Sequence, residues 1–273
     1  MKVTIILYKY NHKICQFSYL CTDMENVKEI IRQLALEYNK EEFFIGDPII
    51  FPKHFARLYA GKEGLFNEPH QIVLKDTVTL ADIEIAGVIA AHLAWGRRDM
   101  IVRDCKRALD EMNWQPFKYV MAGKYKDDDA SLHRTIKWSE FAAICGRLKE
   151  FYSKNESLEN LSAPEIRVLI YGQKENLKAA NKKIHMFRRW MVRNDGVVDL
   201  GLWKKILPSS LIIPLDVHVH RSALNMGITQ RKGADIITAT EITEFLKEIF
   251  PDDPCIGDFA LFAYAAQNRE NKK

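Results

Sequence analysis

The sequence predicts an all-α protein that carries a short β-like appendage at its N-terminus. After residue 23, apolar residues recur at helical spacing, and no set of alternating apolar and polar residues typical of strands follows. Glycine and proline stand where such helices would end. Residues 1–23 alternate like a short strand pair and fit poorly with the rest. We interpret them as an appendage or as the product of a wrongly assigned start, and residues 24–273 as the helical domain.

Composition places the chain among ordinary globular proteins. Its 273 residues are 47% apolar and 28% charged, enough for one large domain or two lobes sharing a core. The five cysteines include no close pair, which favours reduced thiols over a disulfide framework or a structural zinc site. No apolar run approaches the roughly 20 residues of a membrane span. We expect a cytoplasmic protein with no membrane partner and no obligate protein partner.

In the first half of the chain, capping residues, prolines and glycines divide the helical segments. A helix from Met24 to Tyr38 precedes a predicted loop, Phe43–Phe55, because Pro48 and Pro52 interrupt helices. Asp82 is a suitable N-cap for a helix over 83–95, which Gly96 ends. A further helix covers 97–112, and the polar residues 124–137 predict a loop between lobes.

In the second half, the predicted helices are shorter and separated by turn residues. Helices are predicted over 139–152, 163–171 and 176–193, followed by a short helical turn at 199–206. A helix from Asp216 to Gly227 and another over 240–250 come next. Asp253 and Pro254 open a last helix that ends near Gln267. The apolar run Leu211–Leu215 stops at Asp216.

Positive charge is concentrated between Lys174 and Arg193. Four Lys and three Arg against one Glu give this stretch a net charge of 7 − 1 = +6, whereas the whole chain carries +4. Such a stretch suggests a polyanionic partner, although a solvated helix face would explain it as well. Arg97 and Arg98, at a junction between two helices, could contact phosphate or cap backbone carbonyls.

A helical wheel separates the two adjacent lysines of this stretch. With about 100° per residue, one face is apolar and the opposite face is predicted to be a solvent-exposed basic stripe of Lys178, Lys182, Arg189 and Arg193. Lys183 lies at the border, where partial burial and neighbouring cations would favour the neutral amine that a nucleophile requires. Alternatively, its ammonium group simply reaches solvent over the edge of the core.

Asp216 allows three interpretations. Its carboxylate could cap the helix that follows. Asp216, His218 and His220 could instead lie on one face of a strand and bind a metal ion, although no fourth ligand is evident. A catalytic role is the third interpretation, and it comes from a resemblance.

The segment PLDVHVHR resembles the helix that carries the catalytic aspartate in the helix-hairpin-helix GPD (HhH-GPD) superfamily of DNA glycosylases. Together with KKIHMFRRWMVR, VDLGLW, DIEIAGVIAAHLAWGRR and DPCIGDFALF, it is also similar to an uncharacterised bacterial family attached to that superfamily. The resemblance covers about 24–267. It implies a two-lobed HhH-GPD fold in which Asp216 is catalytic, His218 contacts a backbone phosphate, and Lys183 is the catalytic lysine, with Lys182 as the fallback.

The spacing between the two candidate catalytic residues resembles one branch in particular. Lys183 and Asp216 lie 216 − 183 = 33 residues apart, which is closest to the archaeal 8-oxoguanine DNA glycosylases. The four-cysteine iron–sulfur signature of other branches is absent after Asp216, where only Cys255 follows. No cofactor or metal is therefore expected.

The resemblance implies a base-excision repair glycosylase with AP lyase activity that flips a damaged base, such as an oxidised purine, out of double-stranded DNA. The residues expected to bind DNA are His218, Arg221, Lys178, Lys182, Arg189, Arg193, Arg97 and Arg98. Association with the nucleoid would follow. Two alternatives stay open: a non-catalytic DNA-binding protein of the same fold, and a metal-dependent hydrolase that uses Asp216, His218 and His220.

Overall fold

The computed structural model describes residues 24–44, 46–66 and 77–270. The predicted appendage at 1–23 lies outside these ranges. The described residues are mostly helical, which confirms the predicted all-α class, and they contain one small two-stranded sheet. The division into two lobes of HhH-GPD type stays a prediction.

The helices, numbered along the chain, are α1 Met24–Tyr38, α2 Ile50–Tyr59, α3 Leu80–Leu93, α4 Arg98–Glu111, α5 Pro116–Ala122, α6 Trp138–Tyr152, α7 Ala163–Glu165, α8 Lys182–Val192, α9 Val217–Asn225, α10 Ile236–Lys247 and α11 Ile256–Glu270. A π-helical turn, Ile166–Ile170, continues α7, and 3-10 turns lie at Glu41–Phe44, Leu158–Asn160 and Pro208–Ser210. Strands β1 Ser131–His133 and β2 Ile136–Lys137 form an antiparallel hairpin inside the predicted loop 124–137.

Helix α3 is the central helix of the fold. Its sequence is apolar on all sides, and every residue after Leu80 is buried, because α2, α4, α5 and α8 pack around it. Gly87 allows α8 to approach closely, since a Cβ at this position would lie 2.7 Å from the Phe187 ring. The prediction of Asp82 as N-cap is wrong by three residues. Thr79 is the N-cap, and Asp82 completes a capping box by accepting the Thr79 N–H at 2.9 Å.

The predicted loop Phe43–Phe55 is wrong in its second half, where α2 begins at Ile50. Pro52 lies in the first turn of this helix. Proline is tolerated there because the first N–H groups of a helix have no intrahelical partner.

Helix α8 begins at Lys182 rather than at the predicted Asn176. The preceding backbone is used elsewhere: Ala179 forms a β-bridge with Asp235, and the carbonyl of Lys178 accepts the N–H of Ile236 at 3.1 Å. Asn181 then turns the chain with a left-handed backbone at φ 46°. The start of the helix is therefore set by tertiary pairing, which helical periodicity does not reveal.

Other boundaries differ by a few residues. The predicted helical turn at 199–206 is absent, and this segment has no regular secondary structure. Helix α10 begins at Ile236 and α11 at Ile256, instead of the predicted 240 and 254. The predicted helices that became α1, α4, α6 and α9 are confirmed to within two residues at each end.

The extended segment after α8 is attached to the core through Glu84, a buried carboxylate of α3. Glu84 accepts hydrogen bonds from Trp203 Nε1 at 2.7 Å, Tyr152 Oη at 2.7 Å and Ser157 Oγ at 2.6 Å, and from the N–H of Leu158 at 3.1 Å. Burial raises the pKa of this carboxyl, whereas these four donors oppose the shift. The Glu84 side chain thus links three parts of the chain that are distant in sequence: α3, residues 152–158 and Trp203.

We expect Glu84→Ala to lower the free energy of unfolding by about 3 kcal/mol or more, because four donors, three of them on buried residues, would lose their acceptor. Urea unfolding at constant pH would measure the change. Glu244→Ala, at an exposed Glu that forms an ion pair with Lys247, is the matched control and should have little effect. Equal effects of the two substitutions would contradict the assignment of Glu84 as a structural centre.

Candidate active site

An open cleft of about 770 Å³ lies where several chain segments meet. Its walls are formed by the turn after α3, the first turns of α8 and α9, and the side chains of Phe262 and Ala265 on α11. Lys183 and Asp216 both line this cleft, and so do Lys182, His218 and Arg98. The structure therefore brings the two predicted catalytic residues to one cavity, although 32 other residues lie between them in the chain.

Lys183 lies in the first turn of α8 and is half-buried. Its Nζ donates a hydrogen bond to the backbone oxygen of His92 at 2.5 Å, and it forms no ion pair with a carboxylate of the described residues. Burial lowers the pKa of Lys183 to about 8; the charge of Lys182 adds to this effect, and Glu140 opposes it. Lys183 is thus half-buried, as the helical wheel indicates, and its role as a nucleophile stays a prediction.

Sequence reasoning missed a histidine–glutamate pair beside Lys183. His92 Nε2 lies 2.7 Å from Glu140 Oε1, and the His92 ring stacks on Tyr171 with centroids 5.1 Å apart. Burial lowers the pKa of His92, although Glu140 opposes the shift. Glu140 is 48 residues away in the chain, so no local pattern could have indicated the pair.

Asp216 is the N-cap of α9. Its Oδ1 accepts the backbone N–H groups of His218 at 2.8 Å and Val219 at 2.9 Å. One oxygen makes both capping bonds, so the cap does not use the second oxygen, Oδ2. The capping interpretation is confirmed, and it is compatible with a role in the cleft, because Asp216 is only half-buried and lines that cleft.

The structure does not show the arrangement of side chains that the metal-binding interpretation of Asp216, His218 and His220 requires. That interpretation needs all three on one strand face, but these residues form the start of a helix, where positions two apart point about 200° from each other. His220 is buried, and its Nε2 lies 2.8 Å from the carbonyl of Arg231. Among the residues described, no three His, Cys, Asp or Glu side chains are grouped to hold a metal ion.

Some of the predicted DNA-binding cations lie on the surface, outside the cleft lining. Lys178 and Arg221 are exposed. Arg97 is exposed and pairs with Asp99 at 2.8 Å. Arg98, by contrast, lines the cleft and donates to the carbonyl of Phe43 at 3.3 Å, as the carbonyl-capping alternative for this arginine pair suggests.

The prediction that Arg189 and Arg193 lie on a solvent-exposed stripe is wrong. Arg189 is 6% exposed and Arg193 is fully buried, because the segment after α8 and the start of α11 cover this face of the helix. Arg193 pairs with Asp199, with Asp253 at 2.8 Å and with Asp195 at 3.2 Å. Arg189 pairs with Asp258 at 2.8 Å. These two arginines hold α8 in place rather than binding a polyanion.

We call these six residues the buried charge cluster: Arg189, Arg193, Asp195, Asp199, Asp253 and Asp258. Both guanidinium planes also lie over the Phe259 ring, at 4.7 Å and 5.0 Å from its centroid. Burial raises the pKa of Asp258 to about 6; Arg189 opposes this shift, and the charge of Asp216 adds to it.

The comparisons with known proteins place residues 69–267 in the family described as "Protein of unknown function (DUF2400)". No curated protein and no solved structure showed a significant match to the chain. None of the helices described is both long enough and apolar enough to cross a membrane.

Proposed function

The chain belongs to the DUF2400 family, and we propose that it is a DNA glycosylase with AP lyase activity that removes a damaged base, with an oxidised purine as the expected class. The observation that carries this proposal is that Lys183 and Asp216 line one cleft. A partly neutral amine in the same cleft as a carboxylate is a combination that suits nucleophilic attack at the anomeric carbon of a nucleotide. The similarity of PLDVHVHR to the HhH-GPD glycosylases supports the same assignment.

The chemistry follows from these two side chains. In a nucleotide flipped into the cleft, the bond between C1′ and the base nitrogen breaks, and the base leaves with the bonding electrons and takes up a proton. Positive charge develops at C1′, where the carboxylate of Asp216 would stabilise it. The neutral Lys183 amine forms the new C1′–N bond and loses a proton. Opening of the sugar ring then gives a Schiff base, from which loss of a C2′ proton releases the 3′ phosphate.

The charge of the cleft favours a polyanionic substrate. Four cationic side chains line it, Arg98, Arg167, Lys182 and Lys183, against two carboxylates, Asp47 and Asp216. Such an excess attracts phosphates whatever the sequence of the DNA, and binding should weaken as salt concentration rises. The cleft volume of about 770 Å³ lies in the range of sites that enclose a group of the size of a base.

A non-catalytic DNA-binding protein of the same fold is the second candidate. The observation that favours it is the N-cap role of Asp216, which would account for this residue without chemistry. Incubation with duplexes that each carry one oxidised, alkylated or deaminated base distinguishes the two candidates. Salt-sensitive binding without release of any base would favour the second.

We expect Asp216→Asn to lower base excision by about 10²-fold or more while the fold is retained. Asparagine caps helices about as well as aspartate does, so the substitution removes the charge and keeps the cap. Single-turnover excision and thermal unfolding would be measured on the same preparation. Asp216→Ala is the matched control, because it should lower both activity and stability. Undiminished excision by Asp216→Asn would contradict the catalytic assignment.

A further inference from the structure

A second, smaller cavity of about 260 Å³ lies on another face of α8. Its walls come from the start of α7, the segment 176–181 before α8, residues 210–212 and Ile236. Asn181 lines both this cavity and the cleft, so the two spaces share the start of α8 as a wall. Nothing in the proposed glycosylase chemistry uses this second cavity.

His185 lines the second cavity, and its contacts within the fold do not explain why a polar ring nitrogen is buried there. The residue is 5% exposed, and its Nε2 has no hydrogen-bond partner among the residues described. Burial lowers the pKa of His185 to about 4, and Arg188 adds to the shift, so the ring is neutral at pH 7. A buried polar atom without a partner is costly, and a ligand that bonds to it would remove this cost.

Arg188, three residues further along α8, lines the same cavity. Its Nη1 donates to the carbonyl of Leu161 at 2.5 Å, but it forms no ion pair with a carboxylate of the described residues. Arg189 and Arg193, on the same helix, share four aspartates. Burial lowers the pKa of Arg188, although Glu165 opposes the shift, as expected of a cation without sufficient counter-charge.

The other lining residues indicate what would fit. No Asp or Glu lines this cavity, and most of the remaining wall is apolar. The Asn176 side-chain oxygen already accepts the N–H of Lys178 at 3.0 Å, which leaves its amide N–H groups as donors. Residues with N–H donors, and one cation that forms no ion pair with a described carboxylate, therefore line a space large enough for a single small anion.

We propose that this second cavity binds a phosphate-sized oxyanion, held by Arg188 and by the Nε2–H tautomer of His185. The oxyanion could be a phosphate group of the DNA backbone or a free inorganic ion, since both present the same oxygens. Occupation would neutralise Arg188 and satisfy His185 on the helix that carries Lys183. The existence of the site does not depend on glycosylase activity; only the DNA source rests on the proposed function.

The first test is calorimetric titration of the full chain with inorganic phosphate, together with thermal unfolding at increasing phosphate concentration. We expect saturable binding and a higher Tm for the wild type, and binding weakened by about tenfold or more in Arg188→Met. Arg32→Met, at an exposed arginine of α1 that pairs with Glu29, is the matched control and should bind like the wild type. His185→Phe should weaken binding as well.

Circular dichroism and unfolding without phosphate establish that the variants are folded. Arg188→Lys keeps the charge but not the planar donor fork of the guanidinium group, so it should bind phosphate with intermediate affinity. No saturable binding to the wild type, or equal affinity of wild type and folded Arg188→Met, would overturn the proposal. A lower Tm of Arg188→Met without any change in phosphate affinity would show that Arg188 serves only to hold Leu161.

The second arm identifies the source of the oxyanion. If it is a DNA phosphate, Arg188→Met should reduce the slope of log affinity against log salt for duplex DNA by about one, and Arg32→Met should leave it unchanged. An unchanged slope together with lost phosphate binding would assign a free oxyanion. Failure of the proposed function would leave the phosphate titration unaffected, so the two failures are distinguishable.

Discussion

Replacing Lys183 with glutamine is expected to abolish covalent trapping of the protein on damaged DNA in the presence of borohydride. Borohydride reduces a Schiff base to a stable amine, so trapping reports directly on an amine that attacks C1′. Because glutamine cannot form this bond, we expect the trapped fraction to fall by at least about 10³-fold. Gel electrophoresis of the cross-linked complex on a lesion-containing duplex would measure it.

Lys182→Gln is the matched control, since it removes an adjacent lysine that also lines the cleft. It should retain trapping and weaken DNA binding. The opposite pattern would transfer the role of nucleophile to Lys182, and retained trapping in both variants would exclude this pair of lysines. The pH profile gives a further check, because the neutral amine is the reactive form. With the pKa of Lys183 at about 8, the trapping rate should rise about tenfold per unit below pH 8 and level off above it.

Replacing Arg193 with methionine is expected to lower the free energy of unfolding by about 3 kcal/mol, because the half-buried Asp253 would lose its cation and the buried Asp199 would keep only Arg189, at 3.5 Å. This is a large fraction of the stability of a typical domain. Burial already raises the pKa of both carboxyls, although Arg193 opposes the shift. Without the arginine they should bind protons more readily, so the loss should be smaller at pH 5 than at pH 7.

Urea unfolding at the two pH values would test this expectation. Arg97→Met removes an exposed arginine paired with Asp99 and should have little effect at either pH. Adding Asp199→Asn to Arg193→Met should restore part of the loss. If Arg193→Met were as stable as Arg97→Met, the buried charge cluster would not hold the fold together.

The parts of the site that follow from local pattern could be predicted from the sequence. The apolar run before Asp216 and the helix after it place this residue at a helix start, and the wheel places Lys183 at the border of the apolar face. Both conclusions depend only on neighbours along the chain. The structure adds that both residues line the same cleft. The exposed position that the wheel predicts for Lys182 is not seen, because Lys182 is half-buried and also lines the cleft.

The parts that depend on distant partners could not be predicted. Arg189 and Arg193 occupy wheel positions that are normally exposed, and only the carboxylates at 253 and 258 explain why they are buried. The contact between His92 and Glu140, and the four donors around Glu84, likewise join segments far apart in sequence. A wheel shows which residues share a face, but not which face another segment of the chain will cover.

The buried charge cluster has a consequence for the choice of nucleophile. Two lysines stand side by side at the start of α8, and a rotation of the helix by one residue, about 100°, would bring Lys182 to the position that Lys183 occupies. Arg189, in the last turn of α8, and Arg193, directly after its end, pair with aspartates outside the helix, and such a rotation would separate these pairs. The ion pairs at the far end therefore fix the angular register of the helix, and under the proposed function this register would determine which of the two amines faces a bound nucleotide.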